Sequence, residues 1–273
     1  MAPLGLSALR SLLRRSSRPQ AWTPPEASWS RPFGLGWDQP YTVRYASNLD
    51  DGPWHGMPLG GFGAGCIGRS SRGDFNLWHL DGGEHWYGTI PDCQFALFES
   101  NGSSMRAHAL AVRPEVDASR PNSGEPLAAW GWYPASTPER STGTYAARYP
   151  LSWTRYEGVF AAEVECEAFS PILPGDYQRT SYPVAVFRWT FCNPTNQPLD
   201  LSLLLTWRNT VGWFFNTDPS AEVHFRDDGS PEHNYAPAIS HGEGQRNRWL
   251  DQEGMRGIVL EGQRSEPIGE GQG

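Results

Sequence analysis

Lysine is missing altogether from the 273-residue chain, so all 22 basic side chains are arginines. That excludes Schiff-base chemistry and an ammonium clamp on phosphate. Cysteine is scarce: Cys66, Cys93, Cys166 and Cys192 stand apart, with no C-x-x-C pair. A zinc ribbon is therefore excluded, and reduced, mostly buried thiols are expected. No apolar run approaches the roughly 20 residues needed to span a bilayer. A basic surface is also lacking, since the formal net charge is −8, which argues against electrostatic binding of nucleic acid. There is no G-x-S-x-G elbow and no P-loop, so serine hydrolase and nucleotide hydrolase readings have no support.

Aromatics, glycine and proline are abundant instead: Trp 13, Phe 12, Tyr 10, Gly 30 and Pro 24. Frequent punctuation of this kind favours short strands and loops over long helices. Residues 1–28 begin with Arg10, Arg14, Arg15 and Arg18 before the first acid, Glu26, and read as a disordered or basic leader. The stretch is too broken for a signal-peptide core. The expected location is the cytoplasm, and the leader is the feature best suited to a peripheral membrane contact.

From residue 29 the pattern is β. "CQFALFESNGSSMRAHALAV" reads as a hairpin turning at Asn101-Gly102, because Asn and Gly adopt the positive φ that tight hairpins need. Residues 121–143, rich in Pro, Ser, Thr and Gly, read as a long surface loop. In "VFAAEVECEAF", Val164, Cys166 and Ala168 face one way and Glu163, Glu165 and Glu167 the other, since successive side chains on a strand alternate. Phe187, Trp189 and Phe191 share a face in the next strand. Leu199, Leu201, Leu203, Leu205 and Trp207 share one in the strand after, and the link Asn193–Pro198 is expected to join these two strands as antiparallel neighbours. One-sided strands with short turns predict an all-β fold, an antiparallel β-sandwich, over residues 29–273.

The string Gly63-Ala64-Gly65-Cys66-Ile67-Gly68 fits the G-x-G-x-x-G spacing of a dinucleotide loop. Such a loop requires an apolar strand before it and a helix after it, so that pyrophosphate meets the helix N-terminus. Neither flank qualifies. The glycines are expected at positive φ, or beneath a close backbone, in a packed hairpin. His79, Asp81, Glu84 and His85 are metal-ligand types close in sequence, but their spacing matches no helical metal site, and ordinary polar roles are expected. Asp50-Asp51, Asp74, Asp92 and Asp227-Asp228 are candidate carboxylates for acid–base work, with solvated faces or turns as the expected roles. Trp54, Trp86, Trp130 and Trp132, placed in loops, are the better candidates for ligand contact. Trp189 and Trp207 read as core.

Several of these motifs carry a resemblance. Pro58-Leu59-Gly60-Gly61-Phe62-Gly63-Ala64-Gly65, then Gly68-Arg69, Arg72-Gly73, Phe75 and Trp78, are similar to the amino-terminal domain of glycoside hydrolase family 116, the family of the non-lysosomal glucosylceramidase and of bacterial β-glucosidases. "AFSPILPGD" and "YPVAVFRWTFCNPTNQPLDLSLLLTWRNTVGW" resemble its later strands. The resemblance implies a β-sandwich packed on a catalytic (α/α)6 barrel that cleaves β-glucosides, including glucosylceramide, with retention through two carboxylates of that barrel. Those motifs match nothing before Gly273. The sandwich is thus expected to be incomplete at its carboxy-terminus and the chain to carry no catalytic residue, no cofactor and no metal. Its expected partner is the barrel, in cis or as a separate chain. A stand-alone carbohydrate-binding or interaction module is the alternative.

Overall fold

The computed structural model describes residues 23–35, 56–80, 86–114, 130–211, 224–225, 231–232, 245–252 and 254–262. The leader's first 22 residues and the 121–129 part of the expected surface loop lie outside them. The regular structure of the described residues is almost all strand, with one four-residue helix, α1 (Tyr177–Thr180), capped where Asp176 accepts from the Arg179 amide at 3.0 Å.

A five-stranded antiparallel sheet runs in the order β1 (Trp29–Pro32), β9 (Gly143–Arg148), β10 (Leu151–Tyr156), β11 (Glu163–Phe169) and β12 (Val186–Cys192). A four-stranded sheet comprises β2 (Met57–Leu59), β3 (Cys66–Arg69), β4 (Phe75–His79) and β5 (Trp86–Tyr87). A second has the order β13 (Asp200–Thr206), β6 (Gln94–Ser100), β7 (Met105–Ala109) and β8 (Gly131–Trp132). Two separate hairpins pair β14 (His224–Phe225) with β15 (Pro231–Glu232), and β16 (Arg246–Gln252) with β17 (Met255–Glu261).

One core cluster draws on all three larger sheets: Phe75 and Trp78 from β4, Phe95 and Leu97 from β6, Tyr156 and Val164 from β10 and β11. Phe187, Trp189, Phe191, Leu199, Leu201 and Trp207 pack against it. Each large apolar side chain so buried stabilises the fold by about 1.5–3 kcal/mol. This meeting of one-sided sheets is the sandwich that the alternation predicts. The outer face of β11 is wet, as expected: Arg155 Nε donates to Glu165 at 2.8 Å, Arg188 pairs with Glu167, and Trp153 Nε1 donates to Glu167 at 3.1 Å.

The Asn101-Gly102 hairpin forms as read, with Ser100 opposite Met105. All four cysteines are free; Cys93 and Cys166 are buried, Cys66 and Cys192 half-buried.

Several expectations are corrected. β12 and β13 are not neighbours: β12 pairs with β11 and β13 with β6, so the Asn193–Pro198 link crosses from one sheet to the other. Both strands keep their apolar faces because those faces meet the same core from opposite sides. Leu203 and Leu205 share the inward face with Leu201 but remain about half exposed, since among the described residues β13 has a strand on one side only. β7 and β8 pair in parallel, through His108–Gly131 and Ala109–Trp132, where antiparallel pairing was expected throughout. Finally, the described end of the 121–143 segment is not all surface. Tyr133 is buried in the core, and its hydroxyl donates to the Glu157 carbonyl at 2.9 Å.

Among the described residues no helix is long and apolar enough to cross a membrane.

Candidate functional site

The glycine-rich segment is a β2–β3 hairpin with a turn over residues 60–65. Its backbone amides go to protein partners: Gly60 N donates to Ser170 Oγ at 2.7 Å, Phe62 N to the Thr180 carbonyl at 2.8 Å, and Ala64 N to the Gly61 carbonyl at 3.0 Å. Gly61 lies so close to the Ser181 and Tyr182 carbonyls that a Cβ there would collide with them. Gly63 and Gly65 take φ of +73° and +81°, which L side chains rarely adopt. Gly68 sits inside β3, and a second strand follows instead of a helix. The nucleotide reading thus fails here on both the fold and the occupied amides, and the packing role expected for the glycines holds.

This anchoring leaves the Phe62 side chain 68% exposed. The segment it is tied to, 171–184, contributes further exposed apolar side chains in Leu173, Tyr177, Tyr182 and Val184. That segment is itself cross-braced, because Thr180 Oγ1 donates to the Leu173 carbonyl at 3.0 Å and accepts from its amide at 2.9 Å.

The next turn, Ser70–Asp74, is buried except for the half-buried Arg72. Ser70 Oγ donates to Asp74 Oδ1, Thr89 Oγ1 donates to Asp74 Oδ2 at 2.5 Å, and the Gly34 and Val112 amides donate to the Ser71 and Arg72 carbonyls at 2.9 and 2.8 Å. Between the two turns a β-bulge at Gly68/Arg69, where Asn76 is the unmatched residue of β4, redirects the strand. Arg69 enters the core, 4% exposed. Its Nη2 donates to the Leu110 carbonyl at 2.8 Å and to the Tyr156 hydroxyl at 2.5 Å, and its guanidinium lies 5.6 and 5.7 Å from the ring centres of Phe95 and Trp189. Burial disfavours ionisation of Tyr156, pushing its hydroxyl up to about 12 against the partial opposition of Arg69. Arg69 therefore meets a neutral phenol, a carbonyl and two aromatic faces.

Residues 56–273 match the family model described as "beta-glucosidase 2, glycosyl-hydrolase family 116 N-term". The chain belongs to glycosyl-hydrolase family 116. Within this family 116 domain, the motif residues Gly68, Arg69, Gly73, Phe75 and Trp78 all turn out to be buried, and the exposed member of the motif's large side chains is Phe62.

The remaining candidates do not assemble into a second site. His79 ends β4, while Asp81, Glu84 and His85 lie outside the described residues, as do Asp50, Asp51, Trp54, Asp227 and Asp228. Among the described residues no group of three His, Cys, Asp or Glu side chains is placed to hold a metal. Asp74 is committed to two hydroxyls, and Asp92 lies 4.0 Å from Arg208. Trp86 and Trp132 lie in short strands where loops were expected; Trp130 and Trp132 are half-buried. Trp189 and Trp207 pack on the core, as read.

Glu99, which no motif marks, is a buried and fully engaged carboxylate. It is 4% exposed and accepts from the Ala161 and Ala162 amides at 2.8 Å each and from Arg106 Nη1 at 3.0 Å. An acid within the apolar run "CQFALFES" was the available signal, because a buried charge demands partners.

Proposed function

We propose that this domain is the non-catalytic β-sandwich of a retaining β-glucosidase, of the class that takes glucosylceramide, and that it seats the enzyme's catalytic barrel on the ridge of Phe62, Leu173, Tyr177, Tyr182 and Val184. The observation that carries the reading is the glycine turn. Glycine-dependent constraints at Gly61, Gly63 and Gly65 hold a large aromatic side chain in water, where its exposure forgoes about 1.5–3 kcal/mol of burial. Contiguous exposed apolar groups on a soluble domain mark contact surfaces.

The two buried carboxylates among the described residues support the same division of labour. Retaining glycosidases set two carboxyl groups about 5 Å apart across the scissile bond. Asp74 and Glu99 instead spend their oxygens on hydroxyl and amide donors inside the fold. In this reading the nucleophile and the acid/base belong to the partner domain, and the sandwich works as a cytoplasmic scaffold for it.

Titration of the chain into a family 116 catalytic barrel expressed separately, followed by calorimetry, tests the ridge. Saturable binding is expected, weakened about tenfold or more by Phe62→Ala combined with Tyr182→Ala, which corresponds to ~1.4 kcal/mol. Binding that ignores both substitutions would move the interface elsewhere.

A further inference from the structure

Asn101-Gly102 is the sole Asn-Gly pair in the chain, and it lies exposed at the tip of the β6–β7 hairpin. Three donors converge on the Asn101 side-chain oxygen: Ser104 N at 2.8 Å, Ser103 N at 3.0 Å and Ser104 Oγ at 3.2 Å. The Gly102 amide donates to Ser100 Oγ at 3.1 Å, and a Cβ at Gly102 would meet nothing within 4 Å, so the space beside this amide is open.

We propose that this hairpin tip is a self-modification site, at which the folded chain deamidates Asn101 through a cyclic imide. In the first step the Gly102 nitrogen gives up its proton through Ser100 Oγ to solvent and bonds to Asn101 Cγ. The electron pair of the carbonyl moves onto Oδ1, where the three converging donors act as an oxyanion hole. Collapse of this intermediate breaks the Cγ–Nδ2 bond, and the side-chain nitrogen takes a proton from solvent and leaves as ammonia. Water then opens the five-membered ring at either carbonyl. One opening yields an aspartyl residue at position 101, the other an isoaspartyl residue whose backbone is longer by one methylene. The net reaction exchanges ammonia for water.

The consequence is local. A carboxylate appears at the tip, and the isoaspartyl form breaks the spacing that lets the Asn101 amide donate to the Ser104 carbonyl at 3.3 Å. The β6 pairing with β13 reaches Ser100, opposite Asp200 and next to the modified residue, and its inner rungs from Glu99 onward are expected to stay paired.

Purified full chain aged at mildly alkaline pH and cleaved with trypsin tests this, because the peptide Gly73–Arg106 carries Asn101 together with Asn76 as an internal reference. Electron-transfer fragmentation should place aspartyl and isoaspartyl products at position 101, with Asn76 intact. The rate in the native chain should fall within on the order of tenfold of the rate in urea, since the turn supplies the oxyanion donors. A native rate slower than that, or loss of ammonia at Asn76 at an equal rate, would overturn the proposal.

Discussion

Arg69 and Tyr156 join different sheets through one 2.5 Å hydrogen bond inside the core, and both also bond to the Leu110 carbonyl, at 2.8 and 3.0 Å. A single carbonyl between β7 and β8 is thereby shared by β3 and β10, so this contact ties together three sheets that the chain builds separately.

The ordering of substitutions at Arg69 follows from its surroundings. Truncation in Arg69→Ala removes the stacking and leaves a cavity, and should cost about 3 kcal/mol or more. Arg69→Met fills the space without a charge to desolvate, and Tyr156 keeps its own bond to Leu110, so its cost should be smaller by about 2 kcal/mol. Urea unfolding midpoints give the order, and equal losses would mean that the charge itself matters.

The glycine turn separates two effects. Gly61→Ala brings a Cβ against the 181–182 backbone and should cost about 2–4 kcal/mol as the turn is pushed off that segment. At Gly63 the space is open and only the φ of +73° is strained, so Gly63→Ala should cost about 1 kcal/mol. Thermal melts of the two variants decide the matter, with a larger loss at Gly63 as the contrary result.

Glu99 offers a test of amide capping. In Glu99→Gln an NH2 group must face one of the Ala161 and Ala162 amides, leaving a buried donor unsatisfied at a cost of about 1–3 kcal/mol. The amide exchange of Ala161 and Ala162 should accelerate in this variant while that of β11 centre residues changes less. Unaltered exchange at both alanines would show that the carboxylate does not hold them.

Alkaline pH should weaken the fold. Burial pushes the Tyr156 hydroxyl and the Cys93 and Cys166 thiols each up to about 12, from ordinary values of 10.0 and 9.0. The unfolded chain therefore loses these protons first. Their contribution is complete below pH 9 and is lost as pH rises from 9 toward 12. Denaturation midpoints should be level from about pH 7 to 9 and decline above that; a level profile to pH 11 would contradict the burial of these groups.

Period-two alternation made the sandwich legible, as in Val164, Cys166 and Ala168 against three glutamates. The Asn101-Gly102 turn was legible because its backbone demand is local. The partnership of strands was not: alternation states that Leu201 faces a core, but β12 and β13 satisfy it equally well as neighbours or as opposed edges of two sheets. The parallel β7–β8 pair was hidden for the same reason. In the candidate site, the positive φ of Gly63 and Gly65 followed from glycine itself. Arg69 and Glu99 were missed as structural keystones because charged residues normally read as surface, and only tertiary geometry brings Tyr156, Leu110, Ala161 and Ala162 to them.

A division between scaffold and catalyst is open to direct measurement. Hydrolysis of a chromogenic β-glucoside by a separately expressed family 116 barrel should rise saturably as this chain is added, with no turnover from the chain alone. Turnover by the chain alone, or a barrel indifferent to its presence, would contradict that division.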